Sequence, residues 1–495
     1  LKLSDLHLPA VGILAGILAA GCSPIAITEP ATPTAGAIAP AEFHPLTVHQ
    51  ADLLENLVDQ PLPEVGLEVQ LDYAAHRMVT HERIDFPNTS TDTWNEIVLD
   101  VPIHYIADTF SIDKMVVSTG GDRLEGVPGL FGQETMLHIS LPHNLPPGES
   151  AAIDLDFTIN LPPLVATDWP PNSLTGWSPD IIQAGEWYPA PIPYINGQGW
   201  HTWQYHPVGD PTIYPLSNIS LTVHAPGDMT LASGGLDGIS EDTWRFRVNA
   251  ARGIALLASP RYQVAQKNLE GISLRSYYLP EHEQAGRDAL EVAEKAIRLF
   301  DSLYGPYPYK SLTIAENGFF GGMEYSALVS ITDWAYSHYH QNGDSVLHVL
   351  VAHEIAHQWW YGAVGNDQTT EPWLDESLAF YSELLYIEKY FPDKVEWWWK
   401  NRVDKYQPYG PVDATIYSYE RSEYFIPAMY GQAARFIQQL RETMGDEAFF
   451  AFLTDYYMSH RGQTVTAKDF FETVRRHYAG DLSPLLRDYF ANTEW

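Results

Sequence analysis

Hydrophobic and polar residues alternate along the first half of the chain and recur at helical spacing along the second. Leu67, Val69, Leu71 and Tyr73 interleave with Glu68, Gln70 and Asp72, the period of a strand with one buried face. Ile153, Leu155, Phe157 and Ile159 repeat that pattern, as do Ile219, Leu221 and Val223. Between 161 and 215 the chain is dense in Trp, Tyr and Pro, with Trp177, Trp187, Tyr188, Trp200 and Trp203, and shows no clear period. Long irregular stretches are often functional, but aromatic residues in them more often pack. The pattern changes near Glu281. Over 285–303, Leu290, Ala293, Ala296, Ile297 and Phe300 fall on one side of a helix. A buried helix is predicted over 346–361, with Asp344 or Ser345 as its cap, and a second opens at Thr370 and Pro372 and runs to about Tyr390. Further helices are predicted over 434–444, 447–460 and 466–478, with a short one near Leu485 and with Thr466 and Asp469 as a capping pair. No internal repeat is visible.

The N-terminus adds a location. Residues 11–20 read VGILAGILAA, too short to span a bilayer but suited to a signal-peptide core. The run leads through Gly21 to Cys22, the one cysteine in the chain. It resembles a bacterial lipoprotein signal in which Cys22 is acylated, with Ala19 standing where leucine is usual; the alternative is a plain secretory signal. Either predicts an extracytoplasmic protein, lipid-anchored to a bacterial membrane or secreted. A single cysteine leaves no internal disulfide. Residues 23–42, rich in Pro, Ala and Thr, read as a semi-extended tether. The rest of the chain divides into a β domain over 43–265, a catalytic domain over 266–445 and C-terminal helices over 446–495. The formal charge of −35, from 63 acidic against 28 basic residues, argues against nucleic acid as a partner and is the charge of a solvated surface.

The candidate chemistry lies in His353-Glu354-Ile355-Ala356-His357. Histidines four apart on a helix share a face, so both imidazoles reach one zinc ion, with Glu354 beside them to take a proton from water. With 19 histidines present, such a pentapeptide arises by accident on the order of once in twenty chains. A catalytic zinc also needs a third protein ligand and an open position. Glu376, separated from His357 by eighteen residues and on a helix of otherwise apolar character, supplies a buried carboxylate that needs such a partner.

HExxH, eighteen residues and then Glu resembles the aminopeptidase N family of zinc peptidases. Gly321-Gly322-Met323-Glu324-Tyr325 reinforces the resemblance, being similar to the family's Gly-x-Met-Glu-Asn strand, with Tyr325 in place of Asn. The resemblance implies an N-terminal all-β domain, a thermolysin-like α+β catalytic domain and a short C-terminal helical segment. It implies one Zn2+ held by His353, His357 and Glu376, with Glu354 as the base. It also implies that Glu324, carried by Gly321, Gly322 and Met323, binds the substrate's free α-amine. Tyr430, in Met429-Tyr430-Gly431-Gln432-Ala433, matches the family's catalytic tyrosine, with Gln-Ala in place of Lys-Gly, and Tyr424 is the fallback. Many family members continue into a large helical domain, so a chain ending at Trp495 is expected to have a more open cleft. The expected function is removal of N-terminal residues from peptide or protein substrates. The alternatives are a zinc endopeptidase, a non-peptidase hydrolase on the same metal, and a catalytically silent binding protein.

Overall fold

The computed structural model describes residues 53–125, 130–132, 135–164, 174–319 and 321–495. The expected signal, tether and Cys22 lie outside the described residues. No described helix is long and apolar enough to cross a membrane.

The N-terminal part is all β. Its largest sheet has eight strands in the order Leu236–Ser240, Thr243–Ala251, Ser217–His224, Glu64–Asp72, Arg77–Pro87, Ser150–Asn160, Phe110–Thr119 and Asp122–Glu125. Glu64–Asp72 and Ser217–His224 run parallel, with Leu67 opposite Leu221. The alternating residues seen in the sequence are those that bury: Leu67, Val69 and Leu71, then Ile153 to Ile159 at every second position, then Ile219, Leu221 and Val223. Tyr73 falls one residue past its strand and donates its hydroxyl to the Asp180 carbonyl at 3.2 Å. In the aromatic stretch, Trp187, Tyr188 and Trp203 are buried, while Trp177 stacks on His76 and Trp200 packs on Trp94.

A five-stranded sheet comes next, ordered Gln263–Leu269, Ile272–Tyr278, Ser311–Asn317, Leu328–Thr332 and Gly322–Met323. Its central strands are parallel, and the edge strand Gly322–Met323 is antiparallel, with Met323 opposite Ser330. Helix Glu283–Tyr304 turns Leu290, Ala293, Ala296, Ile297 and Phe300 into the core. It packs against helix Val346–Ala356, which packs in turn on Trp373–Tyr390. Helices Ala433–Met444, Asp446–His460, Ala467–His477 and Ser483–Tyr489 complete the chain, and Thr466 N–H donates to Asp469 as the capping pair requires. This is the expected class, an all-β region followed by a thermolysin-like α+β fold with a short helical C-terminal segment.

Two local expectations are corrected. The helix predicted over 346–361 ends at Ala356, with His357 as its C-cap. Beyond it the chain tightens: Gly362 N–H bonds His357 O at 2.8 Å, Tyr361 N–H bonds Val364 O at 2.7 Å, and Tyr361 takes φ +90°, which no helix accommodates. Ser345 occupies the N-cap position without a side-chain capping bond, and Asp344 pairs with Lys394 at 3.4 Å instead. Between 391 and 432 lie elements that periodicity did not reveal, including two π-helical segments, Trp399–Val403 and Pro427–Gln432.

Candidate metal centre and active site

The two histidines arrive one helical turn apart. His353 lies in the last turn of its helix and His357, still in αR conformation, caps it, so that their Nε2 atoms stand 3.2 Å apart. Glu376, in the first turn of the facing helix, brings Oε2 to 3.4 Å from His353 Nε2 and 3.7 Å from His357 Nε2. Two donors bound to one tetrahedral zinc at about 2.0–2.1 Å stand about 3.3 Å apart, so the triangle has the size such an ion needs. Glu376 Oε2 is buried and accepts no hydrogen bond among the described residues, an omission that a cation at the centre of the triangle would repair. The three residues present therefore fit a zinc ion.

Their electrostatics point the same way. Burial works against charge on Glu376, yet the two imidazoles hold its carboxyl well below the usual range. Burial also opposes charge on His353, but Glu376 and Glu383 outweigh it and raise the group to about 9. A dense negative field surrounds the paired nitrogens.

Glu354 and Glu324 border this triangle. One carboxylate oxygen of each lies within 4.8 Å of the other and of a His357 ring nitrogen. Burial lifts Glu354 to about 8 against the opposing pull of His353. Gly322 explains why the edge strand passes so close: a Cβ there would overlap the Glu354 carboxyl. Gly321, at φ +139°, accepts Thr332 N–H at 2.9 Å on its carbonyl and fixes the strand's entry. Met323 is buried beside it. Tyr325, where the resemblance has Asn, packs so tightly on the cavity-lining Gly185 that no Cβ fits there.

Tyr430, on the second π-helical segment, donates its hydroxyl to Glu376 Oε1 at 2.8 Å. Burial, then the Glu376 charge, raises its pKa well above the ordinary value. Tyr424 is 46 % exposed and absent from the cavity wall, so of the two tyrosines the structure brings Tyr430 to the centre. His353, His357, Glu376, Glu354, Glu324 and Tyr430 line one cavity of about 720 Å3, together with Gly321, Gly322 and Met323.

Other residues reach the site without having been anticipated. Glu186, in the aromatic stretch at φ +51°, and Asp210 line the cavity beside Glu324. Burial raises both carboxyls, Glu186 to about 8, with the neighbouring acids adding to it. Gln368 bridges Glu324 Oε1, at 3.4 Å, to Asp375 Oδ2, at 2.8 Å. Glu383 approaches His353 from behind, its Oε1 3.2 Å from Nδ1. Glu383 lies seven residues after Glu376, two turns along the same helix face, and that spacing is a signal the sequence carries. Glu186 and Asp210 have no comparable signal.

The zinc-ligand geometry and the surrounding fold define the class: a gluzincin-type metallopeptidase fold. Residues 288–489 match the Peptidase family M1 domain. That stretch of the chain carries the domain. Aminopeptidase M1-B of Oryza sativa subsp. japonica is 26 % identical over 238 residues, 44 % of this chain and 27 % of that protein. Aminopeptidase M1 of Arabidopsis thaliana is 27 % identical over 220 residues, 41 % of this chain and 25 % of that one. Leukotriene A-4 hydrolase of Xenopus laevis is 25 % identical over 364 residues, 68 % of this chain and 56 % of its own. The chain thus spans about a quarter of the length of the first two relatives. Among solved structures, a mutant M1 zinc metallopeptidase from Deinococcus radiodurans shares the fold with TM-score 0.61 at 18 % identity, over 88 % of this chain and 96 % of that one.

Proposed function

We propose that this protein is a zinc-dependent aminopeptidase that removes the first residue from peptides or unblocked protein N-termini. The observation that carries the reading is Glu324. It is 7 % exposed, its hydrogen-bond partner among the described residues is the Gln368 amide, and no cationic side chain among them pairs with it. A buried carboxylate left without a cation is costly, and a protonated α-amine supplies one. Glu186 and Asp210, on the same stretch of cavity wall, offer the amine further hydrogen-bonding oxygens. An amine held by Glu324 sets the first peptide carbonyl beside the metal triangle, because Glu324 and the donors lie within a few ångströms of one another.

His353, His357 and Glu376 would hold the zinc, which would supply a Lewis acid to polarise a carbonyl and to lower the pKa of water. Glu354 takes the proton from the attacking water on a carboxylate oxygen and returns it to the leaving amine. Gly322 leaves room for that carboxyl and holds it against the edge strand. The Tyr430 hydroxyl, at the rim of the triangle through its bond to Glu376, releases that bond and turns its one proton to the oxyanion. The relative bound to a Tyr-ser-ala substrate, whose structure shares this fold with TM-score 0.59, supports a peptide in the cavity. We further place the protein outside the cytoplasm, on the apolar run at 11–20 and Cys22; mass spectrometry of the mature N-terminus tests that, and an unprocessed, unacylated N-terminus refutes the anchor.

The test of function is hydrolysis of one fluorogenic peptide with a free or an acetylated N-terminus, with and without chelator. Chelator-sensitive cleavage of the free form alone is the expected result. Equal cleavage of both forms makes the protein an endopeptidase. Cleavage of neither by zinc-loaded protein refutes the peptidase reading, with epoxide turnover then the assay for a non-peptidase hydrolase.

A further inference from the structure

The two zinc-facing histidines are supported in different ways. His357 Nδ1 lies 3.1 Å from the Trp360 carbonyl, a backbone acceptor fixed by the turn that ends the helix. His353 Nδ1 is buried and, among the described residues, completes no hydrogen bond. The carboxylate beside it is Glu383, whose Oε1 lies 3.2 Å away as an ion-pair contact. Glu383 is fully buried, and its remaining acceptor sites are filled from one direction. Arg402 closes on it as a fork, Nη2 to Oε1 at 2.6 Å and Nε to Oε2 at 2.9 Å, and Trp398 Nε1 donates to Oε2 at 2.9 Å. The guanidinium also lies over the Phe380 ring, 5.1 Å from its centroid. Ring and fork together leave Arg402 one orientation.

Arg402 does not belong to the helices that carry the metal donors. It stands on the π-helical segment Trp399–Val403, and with Trp397 and Asn401 it forms part of the cavity wall. π-helical turns are uncommon and concentrate at functional sites. Here the wide turn aims a long cation inward, past the wall, to a carboxylate behind a metal donor.

We propose that Arg402 is a positioning residue for the metal: clamping Glu383, it fixes the His353 ring with its proton on Nδ1 and its lone pair on Nε2 toward zinc. A carboxylate behind a metal-binding histidine fixes its tautomer and raises its donor strength. A bidentate guanidinium is the partner that holds a carboxylate in one plane. The wall on which substrate rests is thereby tied to the metal through two side chains. The inference rests on the three-donor metal site and is independent of which substrate enters.

The test reads metal binding in the absence of substrate. Arg402→Met keeps the aliphatic stem against Phe380 and removes the fork. Its zinc dissociation constant, measured on the full chain by competition with a chromophoric chelator, is expected to rise about 10–100-fold. In cobalt-loaded protein the visible d–d bands should shift with it, a response that a merely structural role would not produce. Glu383→Gln should show the same loss, and the double variant should lose no more than the larger single one, because the two act as a unit. If Arg402→Met fails to fold, Glu383→Gln and Arg402→Lys carry the test. Wild-type affinity and an unchanged cobalt spectrum in the folded variants overturn the proposal, as does strict additivity in the double variant. A wild-type protein that takes up no zinc refutes the metal site itself, a result distinct from both.

Discussion

Asp100 offers a test of the β region that does not touch the metal. It ends strand Trp94–Asp100, is fully buried, accepts the Tyr214 hydroxyl on Oδ2 at 3.0 Å, and leaves Oδ1 without a donor. Burial raises its carboxyl from the ordinary 3.8 to about 7, against the opposing effect of Thr135, Tyr214 and the Val101 N–H. Because the folded-state pKa is the higher one, its contribution to stability is complete below about pH 4 and is lost as pH rises through about 7. At about 1.4 kcal/mol for each tenfold change in proton affinity, the full loss is about 4 kcal/mol, of which about 3 falls between pH 5 and pH 8. Asp100→Asn cannot ionise but keeps an oxygen for Tyr214. Its unfolding free energy, from urea titrations at both pH values, should gain about 3 kcal/mol on wild type between the lower and the higher. Glu82, raised by burial with neither oxygen paired among the described residues, titrates in both proteins and cancels in the comparison, whereas Glu186, whose carboxyl the Asp100 charge helps to raise, is eased in the variant and adds to the gain in the same direction. Parallel pH dependence in the two proteins would mean that Asp100 is solvated or otherwise paired, and would refute the argument.

Glu354→Gln should retain zinc, measured by elemental analysis, while kcat falls by about 10²–10⁴-fold; near-normal turnover would remove Glu354 from the role of base. His353→Ala should lose the metal, and a fully loaded variant would show that a different residue is the ligand. Glu324→Ala should lower kcat/KM for free-amine peptides by about 100-fold or more and abolish the preference over acetylated ones; a preserved preference would place the amine elsewhere. Gly322→Ala puts a methyl group into the Glu354 carboxyl, so kcat should drop with zinc content intact, and an unaffected kcat would show that the edge strand yields.

What could be read from the chain depended on how locally each feature is encoded. Strands with one wet face announce themselves by alternation, and Glu64–Asp72 and Ser150–Asn160 lie where the pattern puts them. Ser311–Asn317 is buried at every position, so its sequence has no period, and of the sheet that carries the site only the edge strand at Gly322–Met323 is expected from the chain, through its resemblance. The HExxH pair and Glu376 were legible because helical spacing alone places them on facing surfaces. The end of that helix was not: the apolar run continues to Tyr361, and the stop comes from a left-handed Tyr361 and a tight glycine turn that periodicity does not register. The second set of functional residues divides in the same way. Glu383 stands two turns after Glu376 and was within reach of a spacing argument. Arg402 was not, because its approach depends on a π-helical turn between Trp399 and Val403, a backbone choice that leaves no mark in hydrophobic pattern. Glu186 and Asp210 come from an irregular stretch whose tryptophans mostly pack, as such residues usually do. The same packing carries the two acids to the cavity wall. In this fold the metal donors are set by the periodicity of two helices, whereas the groups that surround the substrate are set by tertiary packing.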